Sequence, residues 1–183
     1  MKGSIFKHFE TFLRSTFGDE LCEQVLEHAQ RDHVGPYLGP EIYPDGDMFA
    51  LVGETLSRTG LALPAALQAF GRYLFDRLCE DAPHLVSGRQ TLDELLASLD
   101  RVIHVEVQKL SPGTYLPRIG CTTTGEGHLE LSYRSRRNLC PLFLGLLHGA
   151  AEHYGLILEA TEHTCSRDGA DACRFHVHYQ KAA

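Results

Sequence analysis

Residues 127–137 read GHLELSYRSRR, and they separate two kinds of pattern in the chain. Leu129, Leu131 and Tyr133 alternate with polar residues, the two-residue period of a half-buried strand. Upstream, apolar residues recur at the three- and four-residue spacing of helices. Ile5, Phe6, Phe9, Phe12 and Leu13 mark one helix over 2–16, and Leu21, Val25 and Leu26 mark a second. The Gly/Pro-rich stretch 35–47 is a loop. Asp47 is placed to cap a helix to about Arg58, with Gly60 ending it. Pro64 suits the first turn of the next helix, through about Cys79. Thr91 and Glu94 form a capping box for a helix whose stripe is Leu92, Leu95, Leu96, Leu99, Ile103 and Leu110. Ser111-Pro112-Gly113 stops it. Downstream of the quoted strand the pattern predicts a helix from Pro141 to His153, then strands LILEATEH and CRFHVHY around the turn SRDGADA. Helices first and a strand–helix–strand–strand end predict an α+β fold.

With 24 acidic against 17 basic residues and a net charge of -7, the chain lacks the basic balance of a general nucleic-acid binder. No apolar run is long enough to span a bilayer. The opening MKGSIFKHFETFL has no uninterrupted apolar region or small-residue cleavage site, so the cytoplasm is the expected compartment. There, six cysteines read as thiols or metal ligands rather than a disulfide framework. Against this acidic background Arg134, Arg136 and Arg137 fall within four positions, beside Tyr133 and Ser135. Strand alternation would turn residues 133, 135 and 137 to one side, as two hydroxyls and a guanidinium suited to an anion, with Arg134 and Arg136 opposite.

At ~100° per residue, His104 falls about 120° from the middle of its helix's apolar stripe. Alone it is a half-exposed histidine favoured near a helix end. Pro117 alone is a turn residue, and the arginine strand alone is a basic surface.

Together, VIHVEVQKLSPGTYLP and YRSRR resemble the haem nitric oxide/oxygen-binding (H-NOX) family, and the resemblance runs over essentially the whole chain. It implies a single domain over 1–183, with a helical lobe at about 1–62, an α/β lobe at about 63–183 and haem b held between them. It implies His104 as the axial ligand of ferrous iron, a role neutral imidazole commonly takes. Tyr133, Ser135 and Arg137 would hold the propionates, and Pro117 would distort the macrocycle. At the distal positions, where oxygen-binding members carry hydrogen-bond donors, this chain has apolar Phe9, Leu74 and Leu142, with Ile5 and Leu78 nearby. These residues equally suit a plain helical core.

The resemblance therefore implies a non-enzymatic sensor of nitric oxide, with carbon monoxide also bound and dioxygen not expected. Gas binding would weaken or break the bond to His104. A separate histidine kinase or cyclic-dinucleotide enzyme would read the change. Several members of the family carry a structural zinc, to which Cys140, Cys165 and Cys173 correspond here. His163 is the favoured fourth ligand, reached through a backbone bulge, with Glu162 as the alternative. Two other readings compete. CSRDGADACRFHVH also resembles four-vinyl-reductase-type domains that bind small organic ligands. His148 and Glu152, one helical turn apart, superficially suggest a zinc enzyme, but His-Glu-x-x-His is not present.

Overall fold

The computed structural model describes residues 1–182. The chain divides into two compact units, Met1–Ala66 and Leu67–Ala183.

The first unit is helical. Helix α1 (Gly3–Phe17) buries Phe6, Phe9, Phe12 and Leu13 of the predicted stripe and leaves Ile5 half-buried. It gives way at Gly18, whose φ is +89°, to α2 (Asp19–His28), which buries Cys22 and Val25. Helix α3 (Asp45–Thr59) ends on Gly60 in the left-handed conformation, as expected. Its start differs from expectation. Asp47 is not the cap but lies inside the first turn, 1 % exposed. It accepts from the backbone amides of Asp32 (2.9 Å) and His33 (3.2 Å) and from the Tyr37 hydroxyl (3.4 Å). Burying that carboxylate is tolerable because three donors meet it, and they fasten the loop before α3.

Helix α4 (Leu63–Asp81) leads into the second unit. There α7 (Cys140–His153) crosses α4 closely. A Cβ on Gly145 would lie 2.2 Å from the Gln68 carbonyl oxygen, and one on Gly71 would lie 2.3 Å from that of Leu142. Glycine at these positions is what lets the two backbones approach.

The sheet has four antiparallel strands in the order β1-β2-β4-β3: β1 (Arg118–Gly125), β2 (His128–Arg134), β3 (Leu156–Thr164) and β4 (Cys173–Lys181). Its inner face supplies Leu129, Leu131, Tyr133, Leu158, Phe175 and Val177, packed with Phe143, Leu147 and Ala150 of α7 and with Leu92, Leu95 and Leu96. Strand β1 was not predicted. Only Ile119 of its residues is buried, so no alternation shows in the sequence.

The single helix expected over 91–110 is in fact three pieces. Helix α5 (Leu92–Ser98) starts on Thr91, whose side chain accepts from the Glu94 amide. A π-helical turn follows over Leu99–Ile103, and α6 runs from His104 to Leu110. The His104 amide bonds the Leu99 carbonyl, five residues back. Such a turn holds about one more residue than an α-turn, so everything after it is rotated back by roughly 100°.

Candidate functional site

That rotation decides where His104 points. It cancels most of the ~120° by which the uninterrupted helix turned the residue off the apolar stripe. The His104 side chain is 16 % exposed. Burial pulls its imidazole below the ordinary histidine range, against the opposing pull of the Asp100 carboxylate. His104 Nδ1 lies 3.0 Å from Asp100 Oδ1, and the same oxygen accepts from the Ile119 amide at 2.9 Å. A carboxylate only accepts, so a neutral imidazole meets it with Nδ1–H. Nε2 then carries the lone pair, which is the form that ligates a metal.

The second half of the arrangement is built at the end of β2. Tyr133 is 5 % exposed and stacks on Phe143 at 5.0 Å. Burial pushes its phenol up to about 12, partly offset by a hydrogen bond from Ser135. Ser135 is buried, and its Oγ accepts from the Arg137 amide at 3.2 Å. Here the expectation of simple strand alternation is corrected. Strand β2 ends at Arg134, and Ser135 and Arg137 lie in the turn that leads to α7. The turn, fixed by Ser135 and by Asn138 at φ +51°, presents Arg137 by a different route. Arg137 Nη1 donates to the Tyr115 carbonyl at 2.9 Å, and its guanidinium lies 4.9 Å from the Tyr115 ring centroid. On that ring Arg136 also stacks, at 4.2 Å, while its amide donates to the Tyr115 hydroxyl. Arg134 is exposed, as expected, and pairs with Asp171 at 2.6 Å.

Residues 115–119 thus serve both halves. Tyr115 holds the arginine turn, Ile119 meets the carboxylate that holds His104, and half-buried Pro117 stands between them. The donors gathered here are a largely shielded imidazole, two hydroxyls and a guanidinium, a set chemically able to meet a metal and carboxylates.

A second cluster lies where α7 begins, β3 ends and β4 begins. Cys140 Sγ is 3.6 Å from Cys165 Sγ, which is 3.9 Å from Cys173 Sγ. All three thiols are buried, and one oxygen of Glu162 joins them within 4.8 Å. Burial and its two thiol neighbours push Cys140 well above the ordinary cysteine range. The Ser166 amide (3.3 Å) and Arg167 Nε (3.4 Å) donate to Cys173 and Cys165 sulfur.

The preference for His163 is corrected by this geometry. The register does slip between Glu162 and Thr164, as a bulge requires. The slip leaves Glu162, paired with inward-facing Phe175, on the sulfur side. It turns His163 outward, 3.9 Å centroid to centroid from the His176 ring.

Of the apolar positions assigned to the gas side, Ile5 (half-buried) and Phe9 (3 % exposed) belong to the first unit. Leu74 (2 % exposed), Leu142 (half-buried) and Leu78 (37 % exposed) belong to the second. Leu78 is thus more open than a lining residue should be. Two participants escaped the sequence reading and a third was ranked second. Asp100 was detectable as a carboxylate one helical turn before His104. Glu162 was weighed and set second. Tyr115 carries no local signal apart from its place near Pro117.

Comparison with known proteins identifies the family and the fold. Residues 2–162 match the Haem-NO-binding family model. The backbone superposes on the crystal structure of an H-NOX protein from S. oneidensis in the Fe(II)NO ligation state, with TM-score 0.91 and 31 % identity. That match covers 99 % of this chain and 100 % of the other. It also superposes on the Fe(II) unliganded H-NOX protein from K. algicida, with TM-score 0.90 and 25 % identity, over 100 % and 98 % of the two chains. An NMR structure of the Shewanella oneidensis H-NOX domain in the Fe(II)CO ligation state gives TM-score 0.88 and 31 % identity, over 100 % of both chains. The fold and the family match define a haem-based gas-sensor domain. This chain belongs to the Haem-NO-binding, or H-NOX, family. Nothing in these matches supports the four-vinyl-reductase alternative. Among the described residues no helix is long and apolar enough to cross a membrane.

Proposed function

We propose that this protein senses nitric oxide at a ferrous haem b held by His104. The observation that carries the reading is the largely shielded imidazole whose Nδ1 is already committed to Asp100, leaving Nε2 for the iron. Bound haem supplies the iron that takes a diatomic gas. The chain supplies the rest. Tyr133, Ser135 and Arg137 offer hydroxyl and guanidinium donors to the propionates, in charge-assisted hydrogen bonds. Pro117 offers a rigid apolar face on the same segment. Ile5, Phe9, Leu74, Leu78 and Leu142 carry no hydrogen-bond donor. Bound dioxygen gains from a distal donor, so nitric oxide and carbon monoxide are the ligands this set favours. The S. oneidensis relatives in Fe(II)NO and Fe(II)CO states fit that choice. A separate signalling protein, of the histidine kinase or cyclic-dinucleotide class, reads the state of the helix that bears His104.

The same reading gives the sulfur cluster a structural zinc. Four tetrahedral ligands with Zn–S near 2.3 Å place sulfurs about 3.8 Å apart. The observed separations of 3.6 and 3.9 Å fit that spacing, and Glu162 offers the fourth ligand.

The test is an absorption spectrum of purified, haem-replete protein, ferrous, with and without nitric oxide. The expected result is a five-coordinate ferrous form, a five-coordinate nitrosyl form and no durable oxygenated spectrum under air. His104→Ala should hold haem only when free imidazole is added. A ferrous spectrum unchanged in that variant overturns the ligand assignment, and a durable oxygenated spectrum overturns the choice of gas.

A further inference from the structure

We infer that Asp100 is the positioning residue for His104, its Oδ1 selecting the Nδ1–H tautomer while tying the imidazole to strand β1 through the Ile119 amide. The inference rests on His104 as the haem ligand. Its observations are independent of any cofactor, because all three partners belong to the protein.

The geometry goes beyond a surface ion pair in three respects. First, the two donors share one oxygen, at 3.0 and 2.9 Å, so the carboxylate cannot turn toward one without loosening the other. Second, both donors are largely enclosed, the His104 side chain being 16 % and Ile119 9 % exposed, while the Asp100 side chain that receives them is 37 % exposed. An amide or imidazole N–H left unpaired in so sheltered a place is costly, which favours keeping both donors on the carboxylate. Third, Asp100 stands in the π-helical turn, while His104 opens the helix after it. The backbone device that swings His104 inward thus also carries the group that receives it.

Two consequences follow for the ligand. An imidazole locked as Nδ1–H always presents Nε2, where a free ring would divide its population between tautomers. A carboxylate on the far nitrogen also makes the imidazole a stronger donor to a metal, and loss of such partners elsewhere reduces metal affinity about 10- to 100-fold. A third consequence concerns signalling. Residues 117–119 run from Pro117 into β1, so any rotation of His104 pulls on Asp100 and on the start of that strand. Asp100 is the joint through which the switch helix addresses the sheet.

Two substitutions separate these roles. Asp100→Asn keeps an acceptor oxygen but removes the charge. Asp100→Ala removes both. In haem-free protein, nitrogen-resolved NMR of the His104 ring should show Nδ1–H in the wild type and in Asp100→Asn, and a mixture of tautomers in Asp100→Ala. Exchange of the Ile119 amide should rise at least tenfold in Asp100→Ala and little in Asp100→Asn. In haem-replete ferrous protein, the iron–histidine stretch should fall in both variants, and haem transfer to an acceptor apoprotein should quicken about 10- to 100-fold.

If Asp100→Ala keeps the wild-type tautomer and the protected Ile119 amide, the inference is wrong. If both variants keep the wild-type iron–histidine stretch, the electronic role is wrong. Failure of the underlying haem reading looks different. There, His104→Ala leaves the ferrous spectrum unchanged, while the tautomer and exchange measurements still report on the Asp100 contact. Should Asp100→Ala not fold, the split between wild type and Asp100→Asn in the iron–histidine stretch decides the matter.

Discussion

The two metal-competent regions of the second unit are built in opposite ways. The sulfur cluster is set into the core: Cys140, Cys165 and Cys173 are 1, 6 and 0 % exposed, and Phe143 and Phe175 beside them are buried too. The segment that bears His104 has no fully buried residue at all, in either the π-helical turn or α6. Val102, Val105 and Leu110 on it are 43, 40 and 73 % exposed. Low burial marks the parts of a fold that open most easily. The contrast teaches a division of labour: one region is fixed by packing, and the other is held by a few directional bonds and can move.

The largest expected effect attacks the fixed region. Cys173→Ala should abolish zinc binding, and a strong chelator should lower the melting temperature of the wild type but not of the variant. With free zinc at 1,000 times Kd the stabilisation lost is about 4 kcal/mol. A wild type indifferent to chelation would remove metal from the contrast. Next comes the movable region. Amides of residues 99–110 should exchange on the order of 100-fold faster than those of Leu131 and Phe175, corresponding to about 3 kcal/mol less opening free energy. Equal protection would erase the contrast.

A smaller effect is expected at the frame beneath α7. Gly145→Ala places a methyl against the Gln68 carbonyl and should cost roughly 1–3 kcal/mol in urea unfolding. The smallest effect distinguishes the two faces of β3. His163→Ala should leave zinc content and melting temperature unchanged, whereas Glu162→Gln should weaken zinc retention in a competition assay. The reverse outcome would return the fourth ligand to His163.

The same contrast explains what could be read from the chain. Packed regions announce themselves through periodicity. The α1 stripe, the Leu129–Leu131–Tyr133 alternation and the buried core of α7 all follow from it. Strand β1 escaped because an edge strand with one buried residue has almost no pattern, although Thr122, Thr123 and Thr124 favour extended backbone. The π-helical turn escaped because the stripe Leu92–Leu95–Leu96–Leu99–Ile103 reads through it without a break. Extrapolating a 3.6-residue period past one wide turn misplaced His104 by about a right angle. The choice between Glu162 and His163 turned on which way a bulge sends each residue. That depends on the β3–β4 register, which no local spacing encodes.

Strand β1 lies at the border of the sheet, next to β2 alone. A border strand offers outward amides that another extended chain could adopt, the hazard that leads edges to pair between molecules. At Ile119 this chain fills that opening with its own side chain, Asp100. Withdrawal of the carboxylate would uncover a hydrogen-bond donor at the rim of the sheet, and whatever moves His104 therefore also governs how available that rim is to a neighbour.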